Sequence, residues 1–315
     1  MELRGISYAT DAGGDTARDL GVIREELHCT AVLLYGSDLE RLSEAARRAL
    51  DVGLDVWFQP RLADRPRRAL LRHLARAAED AERLRVEHPG RVVLVAGCEF
   101  SLFTRGMIPG PHTMIRLRML RFMPRLRPRV TRKLNALLAR VEPLVRARFN
   151  GPVTYAAAFW EDVDWSRFDL VGLNLYRMGW NAAVYEDTVQ AQVGDKPVVI
   201  TEFGCCAHVG GELSGPGGFM IVRWLGSQPS IRPGHVRDEQ VQARYLEECV
   251  EVYERAGVHG AFAFTFAMPD FPHRPDDPEH DLDMAGFGVV KVAPDDPSRW
   301  ARKAAFHALE RKFGT

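Results

Sequence analysis

Several features that would fix a function are missing from this chain of 315 residues. Its 42 basic and 42 acidic side chains cancel, and the lack of a basic excess argues against bulk nucleic-acid binding. No stretch approaches the roughly 18 uninterrupted apolar residues of a spanning helix, so no integral membrane segment is expected. The opening residues carry no basic stretch followed by an apolar one. That reads as no secretory signal, with the cytoplasm as the expected compartment. The five cysteines are odd in number and form no C-x-x-C pair, which removes zinc knuckles and thioredoxin-like redox sites. The neighbours Cys205 and Cys206 read as two reduced thiols on a loop. There is no phosphate-binding P-loop, no G-x-G-x-x-G after a strand and no G-x-S-x-G elbow, and none of the spacings of known metal ligands. No metal or cofactor is therefore expected. Lysine is scarce, a bias toward arginine that reads as GC-rich coding rather than as function.

What remains has the profile of a soluble globular enzyme, 46% hydrophobic and 27% charged. Eight short β-type runs follow one another at 5–8, 31–35, 55–58, 92–96, 153–156, 170–174, 197–201 and 260–265. Most are continuously apolar, as strands buried on both faces of a parallel sheet are. Stretches of helical period lie between most of them, clearest over 39–50, 68–84 and 240–256. Eight strands alternating with helices predict a single-domain α/β fold, a (β/α)8 TIM barrel spanning 1–315. Neither a low-complexity linker nor a repeat divides the chain. The link between the fifth and sixth runs has room only for a turn or short helix, so closure has to tolerate one abbreviated unit. A strand-like return at 286–290 and a last helix over 298–313 complete the pattern.

Three long loops are expected, after the fourth strand (about 100–131), the seventh (about 205–238) and the eighth (about 268–285). The first belongs to a stretch, 100–141, with ten basic residues and no acid. Its centre reads MIRLRMLRFMPRLRPR. Three readings fit: a cationic, methionine-rich lid over an anionic or greasy substrate, a membrane-surface helix, or an ordinary amphipathic helix whose arginines pair with acids elsewhere.

Catalytic side chains in such barrels sit at the C-terminal ends of strands. The fourth run ends Gly97-Cys98-Glu99-Phe100 and the seventh ends Thr201-Glu202-Phe203-Gly204. A carboxyl directly after an apolar strand is costly to bury without a purpose. Strands four and seven face each other across a small barrel mouth, so Glu99 and Glu202 can converge on one bond. Glycoside hydrolysis needs such a pair, one carboxyl protonating the leaving oxygen and the other attacking or stabilising the anomeric carbon. Asn174 and Tyr176, just past the sixth run, are the nearest donors. Tyr8, Tyr35, Gln59 and Trp160 end the first, second, third and fifth runs as candidate substrate contacts. His208 in the seventh loop, Phe266 just after the eighth run and His273 in the eighth loop are further candidates. The partner expected is a small molecule, and nothing in the sequence sets the oligomeric state.

The layout, with glutamates ending strands four and seven, resembles the large retaining glycosidase superfamily called clan A. The segment 196–204, KPVVITEFG, resembles that superfamily's nucleophile strand. The resemblance implies Glu202 as nucleophile and Glu99 as acid/base. Two departures accompany it. The superfamily usually has Asn before the acid/base, where it meets the sugar 2-hydroxyl, and Cys98 stands there. Its eighth strand usually offers a Trp platform, and Thr265-Phe266 stands there. A small glycoside or glycosylated metabolite therefore fits better than a polysaccharide. The alternatives are an isomerase, cyclase or lyase using the same glutamates for proton transfer, and a catalytically silent interaction or defence protein.

Overall fold

In the computed structural model, which describes residues 1–224, 226 and 228–314, eight parallel strands close into a barrel. They are β1 (Leu3–Ala9), β2 (Ala31–Gly36), β3 (Asp55–Pro60), β4 (Val92–Cys98), β5 (Val153–Ala158), β6 (Val171–Asn174), β7 (Val198–Phe203) and β8 (Gly260–Ala263). Each pairs with its sequence neighbour, and β8 closes on β1 with Leu3 opposite Gly260. Strand parity divides the side chains. Val56 and Phe58 of β3 pack outward on helices, while Trp57 turns inward and meets Phe262 at 5.0 Å between ring centres. Ala31, Leu33, Val95, Ala156 and Val199 fill the rest of the interior. Phe262 leaves no room beside it: a Cβ on Gly5 would lie 2.3 Å from its ring, so β1 needs glycine there.

The principal surrounding helices are α1 (Thr16–Glu25), α2 (Leu39–Asp51), α3 (Arg67–Glu87), α4 (Met123–Arg146), α5 (Tyr185–Gln190), α6 (Glu239–Ala256) and α7 (Ala304–Phe313). Asp38 and Asp238 start α2 and α6 by accepting from backbone amides of the first turn. Between β5 and β6 there is only the turn Trp165–Arg167. Trp165 and Phe168 cover the barrel in place of a helix, and Lys196 Nζ holds their carbonyls at 2.6 and 2.5 Å. The last helix starts later than its sequence pattern suggests. Trp300–Arg302 is instead a strand antiparallel to Val290–Val292.

The loop after β8 is pinned by a buried ionic cluster. Arg237 spans Asp281, Asp283 and Glu239 at 2.9, 2.7 and 2.8 Å. Lys291 reaches Glu239 and fully buried Lys303 reaches Asp283, both at 2.8 Å. All five cysteines are free thiols and buried, Cys205 and Cys206 included. Among the described residues no helix is long and apolar enough to cross a membrane.

Candidate active site

β4 does not run straight to its end. Its register against β5 shifts between Val95 and Cys98, and Gly97 takes φ +139° under the ring of Phe100. The bulge re-aims the end of the strand. Glu99 then adopts a left-handed backbone, φ 41° and ψ 51°, which costs a non-glycine residue about 1–3 kcal/mol. Its backbone N–H donates to Ala156 O at 2.9 Å, and its carbonyl starts the turn Phe100–Phe103. The fold holds this conformation and in return delivers the Glu99 carboxyl to the mouth.

Glu202 arrives from β7, opposite Asn174 after a register shift in β6. Both its oxygens accept. Arg61 Nη2 donates to Oε1 at 2.5 Å and Tyr176 Oη donates to Oε2 at 3.2 Å. Asn174 Nδ2 donates to Glu99 Oε1 at 3.0 Å, and Thr201 Oγ1 donates to Asn174 Oδ1 at 2.8 Å, which fixes that amide's orientation. Cys98 Sγ lies between the two acids, 3.8 Å from Glu202 Oε1, 3.5 Å from Asn174 Nδ2 and 3.2 Å from Arg61 Nη2. One layer of side chains therefore links the carboxyls.

The electrostatics separate them. Burial, and then the negative charge of Glu202, push the Glu99 carboxyl up to about 8. Burial likewise drives the Cys98 thiol and the Tyr176 phenol well above their ordinary values, so both stay protonated at neutral pH. Neighbouring Glu161, whose own carboxyl burial also raises, takes hydrogen bonds from Tyr155 Oη and the amides of Ser101 and Ala158. It braces the loop behind Glu99. A protonated acid and a hydrogen-bonded carboxylate on one mouth can together donate a proton and supply a nucleophile or counter-charge.

Tyr35, Asn174 and Tyr176 meet Glu99 and Glu202 here. The Tyr35 ring lies 4.4 Å from the Arg61 guanidinium carbon and stacks with Phe264 at 6.0 Å. Gln59 is fully buried with the inward parity of Trp57, and neither of its amide atoms has a partner among the described residues. Five other sequence candidates sit elsewhere. Tyr8 has the outward parity of Ile6, and its hydroxyl donates to Asp19 on α1 at 3.0 Å. Phe266 is buried in the outer shell against Trp300 and Tyr8, and the ring over the mouth belongs to Phe264. Trp160 donates to Ser101 Oγ at 2.9 Å and packs against Ile108, Met123 and Val130, propping the loop after β4. His208 is buried, with Nδ1 at 3.0 Å from Val209 O and its ring 5.4 Å from His235. His273 meets Asp281 at 2.9 Å in the ionic cluster.

Arg61 is the residue that strand-end reasoning passed over. It lies just past β3, where its N–H still donates to Gly36 O at 2.8 Å. The signal was available: a cation directly after Gln59-Pro60 at a strand end is as unusual as a glutamate there. No group of three or more His, Cys, Asp or Glu placed to hold a metal occurs among the described residues.

No known family's profile matches the chain, and no curated protein matches it in sequence. Solved structures do match in shape. A GH113 β-1,4-mannanase is 16% identical with TM-score 0.63, and the match covers 100% of each chain. GH113 β-mannanase AaManA from Alicyclobacillus acidocaldarius is 15% identical with TM-score 0.58, covering 99% of this chain and 97% of that one. A Bacteroides uniformis β-glucuronidase is 16% identical with TM-score 0.59, covering 98% of this chain but 34% of the larger enzyme. At such identities the likeness is one of fold: the chain has the barrel these glycosidases share.

Proposed function

We propose that the protein is a retaining glycosidase acting on a small glycoside or glycosylated metabolite. The observation that carries this reading is the unlike treatment of two carboxyls on one mouth. Glu99 is held protonated near neutral pH, while Glu202 accepts from a guanidinium and a phenol. The glycosidase fold of the neighbours supports the reading without supplying a substrate. In the first step the Glu99 proton passes to the glycosidic oxygen as the bond from that oxygen to the anomeric carbon breaks. A Glu202 oxygen bonds the same carbon, giving a glycosyl ester. In the second, Glu99, now a carboxylate, takes a proton from water. The water oxygen replaces Glu202 on the anomeric carbon, and both acids return to their starting states.

Arg61 and Tyr176 orient Glu202 for attack, and Asn174, fixed by Thr201, orients Glu99. Tyr35 and Phe264 offer ring faces beside them. Soaking with activated aryl 2-fluoro glycosides, followed by peptide mass mapping, is expected to find one sugar on Glu202.

Cys98 favours one second reading. A buried thiol stands where a superfamily member usually offers an amide to the sugar, so the same pair could serve proton transfer in an isomerase, cyclase or lyase. No trapping across a broad glycoside panel, with Glu99→Gln and Glu202→Gln both abolishing turnover of another ligand, selects that reading. Unchanged turnover in both variants leaves a silent barrel.

A further inference from the structure

The charges of this neutral chain are unevenly placed. Of the ten basic residues between Phe100 and Val141, Arg116 is buried and bound to Asp64. Arg105, Arg118, Arg121, Arg125, Arg127 and Arg129 are exposed, and none pairs with an acid among the described residues. The expectation that these arginines are neutralised elsewhere holds for Arg116 and fails for these six. They lie on the segment between β4 and α4 and on the first turns of α4. Since α4 descends from the mouth toward the start of β5, that segment stands at the rim beside Glu99.

Exposed apolar side chains gather on the same rim. Met114 (49% exposed), Ile115 and Phe122 alternate with the arginines. Trp180 (73%) follows β6, and Met220 (64%) and Trp224 follow β7. Among the described residues the exposed large apolar side chains outside the loops after β4 to β7 are Val52, Val86 and Val193, all at the opposite end of the barrel. Phe159 after β5 links the sectors, 6.4 Å from the Trp180 ring. Four adjacent loops thus present one apolar rim with an unpaired cationic edge.

We propose that this rim docks on an anionic phospholipid surface, with the barrel mouth toward the bilayer. Guanidinium groups bind lipid phosphates in fork geometry, and tryptophan, phenylalanine and methionine enter the headgroup boundary beside them. A soluble polyanion would leave the apolar side chains without a role. A second copy of the same face would bring arginines to a segment that has no acids. The inference is independent of the hydrolytic reading, because it concerns binding alone.

The test is co-sedimentation of the full chain with phosphatidylcholine vesicles, with and without phosphatidylglycerol, at about 0.15 M ionic strength. Binding is expected only with phosphatidylglycerol. Arg121→Glu/Arg125→Glu is expected to weaken it roughly tenfold or more, and Phe122→Ser/Trp180→Ser to weaken it as well. The control Arg47→Glu/Arg72→Glu reverses two exposed arginines on α2 and α3 and is expected to bind as wild type, which separates local contact from net charge. The proposal is overturned by absence of binding to the phosphatidylglycerol vesicles at that ionic strength, or by equal loss in the control variant. It is also overturned if dextran sulfate binds as tightly as vesicles, or if the wild type sediments as a dimer that Trp180→Ser dissociates.

Discussion

Two buried assemblies of charge occur in this barrel, and they are built on opposite terms. Behind the loop after β8, Arg237, Lys291 and Lys303 face Glu239, Asp281 and Asp283, three cations to three acids. Arg237 and Lys291 hold Glu239 down to about 2, its burial notwithstanding. At the mouth, one cation, Arg61, faces two acids, and burial together with the charge of Glu202 lifts Glu99 to about 8. The first assembly is compensated and its work is to hold a loop. The second is short of one positive charge, and the proton that Glu99 keeps in its place is what a general acid needs.

The sharpest way to break the comparison is to remove each acid in turn. Glu99→Gln and Glu202→Gln are each expected to lower kcat by about 10²–10⁴ or more while circular dichroism stays native. Lys303→Met should do the reverse. It leaves Asp283 short of a buried partner and costs about 3–5 kcal/mol in denaturant unfolding, with the rate per folded molecule unchanged.

A third experiment reads the uncompensated acid through pH. Activity should fall as pH rises through about 8, because the acid form of Glu99 is lost there. The positive charge of Arg61 lowers the Glu99 carboxyl, so Arg61→Met should move that limb to higher pH in a kcat/KM profile. Stability moves in the same direction over a wider window. The Glu99 carboxyl binds its proton more tightly folded than unfolded, so stability declines as pH rises from its ordinary 4.5 through about 8. Glu99→Gln is therefore expected to raise Tm by a few degrees above pH 8 and to leave it unchanged at pH 4, which calorimetry at the two pH values checks. The smallest effect belongs to Tyr8→Phe. It removes a buried hydrogen bond to Asp19 for about 1 kcal/mol and should leave kcat/KM within about twofold.

Much of this was legible in the sequence because continuous apolar runs and strand-end acids are local signals. The β7 motif could be read directly, and so could the abbreviated link before β6. Parity was harder. Tyr8 and Tyr35 end neighbouring strands, yet one faces α1 and the other the mouth, and only the register of the closed sheet decides which. Bulges compound the difficulty: the shift between Val95 and Cys98 that aims Glu99 has no signature beyond Gly97. Just past β8 the ring at the mouth is Phe264, two residues earlier than the candidate Phe266. The helix Met123–Arg146 runs through Pro128 and Pro143, which taken alone argue against it; its buried Leu134, Leu137, Leu138 and Val141 stripe overrides them.

Under the proposed hydrolytic reading, the position of Arg61 has a consequence for the whole reaction cycle. Before attack, the mouth holds one guanidinium, one carboxylate and one protonated acid. Once the sugar is bonded to Glu202, that carboxylate has become an ester and Glu99 has surrendered its proton. The tally is then again one cation and one anion, with the anion moved from β7 to β4. No ion has to enter or leave for the cycle to turn, and Arg61, freed from Glu202 halfway through, faces its negative neighbour across Cys98 until water restores the first arrangement.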